Sequence, residues 1–179
     1  MLSAKCYQLN ALVTTDGDAD RPLIADETGQ WLRGDIVGLL TASYLGAHSV
    51  VVPISCNTSI DKCGYFDSVV RTRIGSPYVL AGMASISCSG SVAGFEANGG
   101  FIAGPGLNLQ GNILDDLPTR DAVLPILCVL GMAVATNSAV SKLLPSLPER
   151  FTASDRLQNI PFVQSQTFLT SIENQPDVL

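Results

Sequence analysis

The chain has 179 residues, of which 46% are hydrophobic and 15% charged, so it holds one domain of ordinary size, or one domain plus part of another, with a sizeable core and little extended disorder. Its formal charge is −6 and its ten Lys and Arg are scattered, which excludes a nucleic-acid backbone as partner. The opening "MLSAKCYQLN" has no apolar signal core. The longest apolar run, residues 122–135, is too short for a bilayer and is interrupted by Pro125 and Gly131, so it is predicted as a buried helix of a soluble, cytoplasmic protein without membrane contact.

In chain order, "ALVTT" and "PLIAD" read as strands joined by the acidic stretch "DGDADR", and "DETG" as the turn that follows. Residues 34–46 carry apolar side chains at helical spacing and end at glycine. "SVVVPIS" is a buried strand that follows the single histidine, His48, for which a structural role is expected; one histidine excludes a His-rich zinc site. "NTSIDKCGYF" is a short helix capped by Asn57 or Thr58, and "SVVRTRI" another strand. "SPYVLAGMASIS" is a helix with Ser76 as N-cap and Pro77 at its first position. "SVAGFEANGGFIAG" reads as strand, tight glycine turn, strand. "PTRDAVLPILCVLGMAVAT" is predicted as the longest helix, with Thr119 as cap and Asp121 in its first turn. A composition shift at Pro145 and Pro148 places a boundary at residues 146–150, followed by a strand and a helix from near Pro161. Five cysteines without CxxC spacing read as reduced core thiols.

The alternation of strand and helix predicts an α/β fold, with a mixed, mostly parallel sheet flanked by helices and ligand-binding loops beyond the carboxyl ends of the strands. Asp16, Asp18 and Asp20 fall at alternate positions; in an extended loop residues two apart point the same way, so three carboxylates converge on a hard cation. The calcium-loop pattern fits these aspartates and Glu27 but fails at its glycine position, which is Arg21 followed by Pro22. Mg2+ suits the stretch better, with Arg21 beside it for a phosphate, the usual equipment of phosphoryl transfer. A solvated acidic turn is the plain alternative.

"TTDGDADRPLIADETGQWLRGD" strongly resembles the metal-loop segment of the α-D-phosphohexomutase superfamily, the phosphomannomutase and phosphoglucomutase enzymes, whose third domain opens with D-G-D-x-D-R. The resemblance implies that Asp16, Asp18 and Asp20 hold Mg2+, with a phosphoserine oxygen as the further ligand, and that Arg21 acts in catalysis by steadying phosphate oxygens. "GFEANGG" resembles the family's G-E-x-S-G sugar-recognition loop: Glu96 falls on the glutamate that reads sugar hydroxyls, Asn98 on the serine and Gly99 on the glycine. It departs in having Asn for Ser, and Gly100 where a histidine is common. "RTRIGSPYV" resembles a T-x-x-G segment near the bound phosphosugar, with Arg73, Gly75 and Ser76 facing the site. "LPTRDAVLPILCVL" is similar to the family's last third-domain helix, with Thr119, Arg120 and Asp121 at its start.

The resemblance makes residues 1–147 a phosphohexomutase third domain and residues 148–179 a linker and incomplete start of the fourth. It implies an isomerase that exchanges phosphate between C1 and C6 of a hexose phosphate through a phosphoserine. The family's T-x-S-H-N-P serine motif and R-x-S-G-T-E-P phosphate loop do not occur here, so the chain by itself is expected to have no turnover and to self-associate through surfaces left by missing domains. A non-catalytic α/β binding module with a structural acidic loop is the alternative from another class. The haloacid-dehalogenase pattern D-x-D-x-T is met only in part, since Arg21 and Pro22 follow Asp20.

Overall fold

A computed structural model describes residues 7–86, 90–153 and 158–174. The chain opens with an antiparallel hairpin, β1 (Ala11–Thr15) and β2 (Pro22–Asp26), in the register Ala11 to Asp26 through Thr15 to Pro22. The turn after β2 is closed by Asp26, whose carboxylate accepts the Thr28 and Gln30 N–H groups at 2.8 and 3.0 Å and the Thr28 hydroxyl at 2.7 Å. Helix α1 (Gly34–Tyr44) leads to β3 (Ser49–Pro53), the short α2 (Ser59–Lys62), β4 (Ser68–Thr72) and α3 (Ser76–Ser85). Strands β5 (Val92–Phe95) and β6 (Phe101–Ala103) form a second hairpin, and a small one pairs β7 (Asn108–Leu109) with β8 (Asn112–Ile113). Strand β9 (Leu117–Asp121), helix α4 (Val123–Ala135), two 3-10 turns and helix α5 (Phe162–Glu173) complete the order.

The central sheet runs β4-β3-β5-β6-β9. Strands β4 and β5 pair parallel to β3, and β6 pairs antiparallel with both β5 and β9, so β6 alone opposes the other four. This is the mixed, mostly parallel α/β sheet expected. The β-branched run of β3 suits a central strand covered on both faces. Val50 and Val52 point into one core with Leu39, Leu45, Phe95, Phe101 and Cys128, while Val51 points to the other face with Val79 of α3, Val92 and Ile102. The first hairpin lies outside this sheet. Ile24 fixes it by packing with Val37 and Leu40 of α1 and Val129 and Ala133 of α4.

Four expectations change. Residues 118–121, read as the opening of the long helix, lie in β9 (Leu117–Asp121), because the open edge of β6 accepts them in the register Phe101 to Asp121. Thr119 therefore caps nothing; Asp121 does, its carboxylate accepting the Val123 N–H at 2.7 Å and that of Leu124 at 3.4 Å. At α3 the cap position is Gly75, at φ 124°, and Ser76 is the first helical residue. Helix α4 is buried on one side only: Pro125, Cys128, Val129 and Ala133 are covered, whereas Val123, Leu127 and Val134 are exposed. Helix α5 begins after Pro161 as expected, but no strand precedes it among the described residues; 154–157 lie outside them.

Asn57 accepts the Ser59 N–H on its side-chain oxygen at 2.7 Å and so starts α2, as one of the two expected caps. Cys56, Cys63 and Cys128 are free thiols; burial pushes Cys63 up, and Cys56 and Cys128 up to about 12. Cys6 and Cys88 lie outside the described residues. Among those residues no single helix is long and apolar enough to cross a membrane.

Candidate functional site

The acidic loop is not extended. Asp16 N–H donates to the Arg21 carbonyl at 3.2 Å and Ala19 N–H to the Asp16 carbonyl at 3.1 Å, and Ala19 takes a left-handed conformation at φ 59°. The stretch is thus a tight turn, and it is the turn, not strand alternation, that gathers the carboxylates. One oxygen from each of Asp16, Asp18 and Asp20 lies within 4.8 Å of the others.

The second loop joins β5 to β6. Glu96 N–H donates to the Gly100 carbonyl at 3.0 Å, Gly99 N–H to the Glu96 carbonyl at 2.9 Å, and Gly100 N–H to the Asn98 side-chain oxygen at 3.0 Å. Gly99 sits at φ 96°, a conformation that favours glycine. The start of α1 packs onto this turn so closely that a Cβ on Gly34 would lie 2.2 Å from the Gly99 nitrogen.

The two loops meet through a row of alternating charges. Arg21 Nε lies 2.5 Å from Asp16 Oδ2 and 3.4 Å from Asp20 Oδ1; Arg120, on β9, lies 2.5 Å from Asp20 Oδ2 and 3.4 Å from Glu96 Oε2. The Glu96 side chain is 6% exposed and that of Arg21 39%. Partial burial works against the Asp16 charge, but the backbone N–H groups of Arg21 and Asp20 and the Arg21 guanidinium outweigh it and hold its carboxyl below the usual range. Contact with Asp16 raises Arg21 in turn.

The donor set fits a hard divalent cation. Asp16 Oδ2 and Asp20 Oδ1 are buried and meet no aligned hydrogen-bond donor, but both pair ionically with Arg21 Nε, at 2.5 and 3.4 Å. Their sister oxygens are pinned, Asp16 Oδ1 by the Asp20 and Arg21 N–H groups at 3.3 and 3.2 Å, and Asp20 Oδ2 by Arg120. Four carboxylates and two arginines leave an excess negative charge that a divalent ion balances.

Beside the β5–β6 turn a cleft of about 590 Å3 is lined by Arg33, Gly34, Ser55, Ala97, Asn98 and Thr152, among others. Its lining residue Arg33 is held by the fully buried Asp35, whose carboxylate accepts Arg33 Nε at 3.2 Å and the Asn57 N–H at 2.8 Å. The Asn57 side-chain amide in turn donates to the Arg150 carbonyl at 3.1 Å and the Thr152 hydroxyl at 2.6 Å, tying the segment after α4 to the cleft wall.

Asp16, Asp18, Asp20, Arg21, Glu96, Asn98 and Gly99 are thus brought together. Arg73 and Ser76 stand apart from them, at the carboxyl end of the edge strand β4, with the Arg73 guanidinium 5.9 Å above the Tyr78 ring. His48 is away from the site: its Nδ1 is 2.8 Å from the Ser91 hydroxyl where β3 and β5 begin. Arg120 and Arg33 were not among the expected site residues. In the sequence Arg120 stood out only as part of the family-like helix start, and Gly100 only as a departure from a histidine.

The family model described as phosphoglucomutase/phosphomannomutase, alpha/beta/alpha domain III, matches residues 33–151. The chain therefore belongs to the phosphoglucomutase/phosphomannomutase family, as the resemblance implied. It is 47% identical over 178 residues to a phosphomannomutase of Salmonella muenchen, a match that covers 98% of this chain and 37% of that protein. It is 42% identical over 172 residues to a phosphomannomutase of Sinorhizobium fredii, covering 95% and 36%. The chain thus spans a little over a third of the length of these relatives.

Two solved structures share its fold. A phosphoglucomutase/phosphomannomutase family protein from Burkholderia thailandensis superposes with a TM-score of 0.62 at 16% identity, over 84% of this chain and 31% of that one. The Aspergillus fumigatus N-acetylphosphoglucosamine mutase in complex with GlcNAc-6P and magnesium gives 0.59 at 19% identity, over 92% and 41%. Family membership does not favour the binding-module alternative.

Proposed function

We propose that this chain carries the metal and sugar half of a phosphohexomutase site, one that interconverts hexose 1-phosphate and 6-phosphate through a phosphoserine. The observation that carries this reading is the convergence of one oxygen each from Asp16, Asp18 and Asp20 within 4.8 Å of one another, placed within one ion pair of the Glu96 loop. Asp16, Asp18 and Asp20 would hold Mg2+, which supplies charge neutralisation to a transferring phosphoryl group. Arg21 steadies phosphate oxygens beside them. Glu96 accepts hydrogen bonds from two neighbouring sugar hydroxyls, as a carboxylate with two free lone-pair directions does well. Asn98 and the glycine backbone line the cleft in which the sugar lies in either orientation. Arg73 and Ser76 contribute its farther rim, a role supported by their place at the carboxyl end of β4.

Both curated relatives above are named phosphomannomutases, so mannose phosphate is the first substrate to try. The reading includes a cytoplasmic setting, a third domain over residues 1–147 and the opening of a fourth over 148–179. It also includes self-association of the isolated chain through exposed apolar residues such as Val123, Leu127 and Val134 of α4. Without the serine motif these 179 residues are expected to show no conversion of hexose 1-phosphate to 6-phosphate.

The test is a Mn2+ titration of the isotopically labelled chain followed by NMR. Paramagnetic broadening confined to residues 16–21 and reversed by excess Mg2+ is the expected result. Broadening spread evenly over the acidic surface, or unaffected by Mg2+, would overturn the metal-site reading.

A further inference from the structure

We infer that Arg120 is a positioning residue of this site: its forked guanidinium holds Asp20 as a metal ligand and Glu96 as the sugar-reading group in fixed relation, and Gly100 is required so that its stem can pass. This rests on the metal-and-sugar reading above and adds to it a residue on a different element from either loop.

The geometry supplies three independent supports. One nitrogen of the fork reaches Asp20 Oδ2 at 2.5 Å and the other Glu96 Oε2 at 3.4 Å, so a single planar group spans both loops. Holding Oδ2 leaves Oδ1 of Asp20 buried with only a 3.4 Å ionic contact to Arg21 Nε, the arrangement in which an outer partner aims a ligand at a metal. Finally, a Cβ on Gly100 would lie 2.6 Å from Arg120 Cδ and 3.2 Å from Cγ. Gly100 does not have the positive φ of Gly99, so its backbone tolerates any residue and the constraint is space alone. A side chain at position 100 and this arginine in its present conformation compete for the same space.

Two opposing effects act on the metal. A guanidinium next to a cation repels it, while orientation of Asp20 helps it; loss of an outer partner of a ligand typically weakens metal affinity by about 10–100-fold. Oδ1 of Asp20, buried and held only by the long contact to Arg21, argues that orientation wins, so removal of the fork weakens binding.

The experiment is Mn2+ binding by the 179-residue chain, read by electron paramagnetic resonance of the free ion, for wild type, Arg120→Met, Gly100→Ala and the double variant. Arg120→Met keeps the stem and removes the fork. Roughly tenfold weaker binding is expected for Arg120→Met, with a similar loss for Gly100→Ala because the methyl displaces the arginine. The double variant is expected to be no worse than Arg120→Met alone, since both changes break one contact. Arg120→Lys should recover part of the loss through its single charge. Amide spectra of all five chains confirm that each remains folded. Unchanged or tighter binding by Arg120→Met would overturn the inference, as would additive losses in the double variant. Absence of Mn2+ binding by the wild type is a separate result that overturns the metal-site reading and the inference with it.

Discussion

The two loops that form the site are held in different ways. The β5–β6 turn grows out of the core. Phe95 and Phe101 stand at its two ends, both fully buried, with ring centroids 6.3 Å apart and planes within 9°. Backbone hydrogen bonds close it, and the start of α1 presses on it. The acidic loop rides on a separate two-stranded hairpin, and much of its shape depends on pairs between carboxylates and half-exposed arginines. The sugar loop is therefore held mainly by packing and backbone hydrogen bonds, with the Glu96–Arg120 pair added, whereas the metal loop leans more on ion pairs. A metal site needs this: carboxylates fully satisfied by protein donors would have nothing to offer an ion.

The largest effect expected from this contrast is on Phe95→Ala. It removes a fully buried ring at the root of the sugar loop and should cost about 3–5 kcal/mol in urea unfolding, with loss of the Gly99 and Gly100 amide dispersion. A cost near that of a surface substitution would show that the turn does not depend on the core.

Asp26→Ala tests the base of the hairpin and should cost about 1–3 kcal/mol at pH 7, through the stranded Thr28 and Gln30 donors. Burial opposes the Asp26 charge, but the Thr28, Gln30 and Gly29 hydrogen bonds outweigh it and bring its pKa below the ordinary 3.8. Its stabilisation is thus complete above that unfolded value and is lost as pH falls through the lower folded one. Stability curves of wild type and variant should converge in acid below about pH 4 and run parallel above it.

The smallest effect on folding is expected for Arg21→Met. Partly exposed pairs like this one add little to stability, so the urea midpoint should stay near the wild type. The Asp16 carboxyl, followed by carbon-detected NMR titration, should move up towards the ordinary range but not reach it, because the Asp20 and Arg21 backbone donors remain. A fall in stability like that of Asp26→Ala would erase the distinction between the two loops.

Most elements were legible because their signals are local. The valines of β3, the apolar spacing of α1 and the glycine turn at residues 96–100 each state their structure within a few residues. The failure at residues 118–121 is instructive. Thr119 and Asp121 before an apolar run read as a helix start, and Asp121 does cap α4, but the four residues before it pair with β6. A vacant strand edge is a property of the folded sheet, and it overrides a local preference. The same limit applies to α4, whose uniformly apolar sequence cannot say that only one side is covered.

The sequence by itself determined the alternation of strands and helices, the three aspartates with Arg21, and the family to which they belong, since each is written in contiguous residues. Only the tertiary structure decided that Arg120 stands between Asp20 and Glu96, that Gly100 must make room for it, and that Asn57 ties the segment after α4 to the cleft. Residues a hundred positions apart meet there, and the pairing of charges across such a gap is set by how the sheet and hairpin pack, which no local pattern encodes.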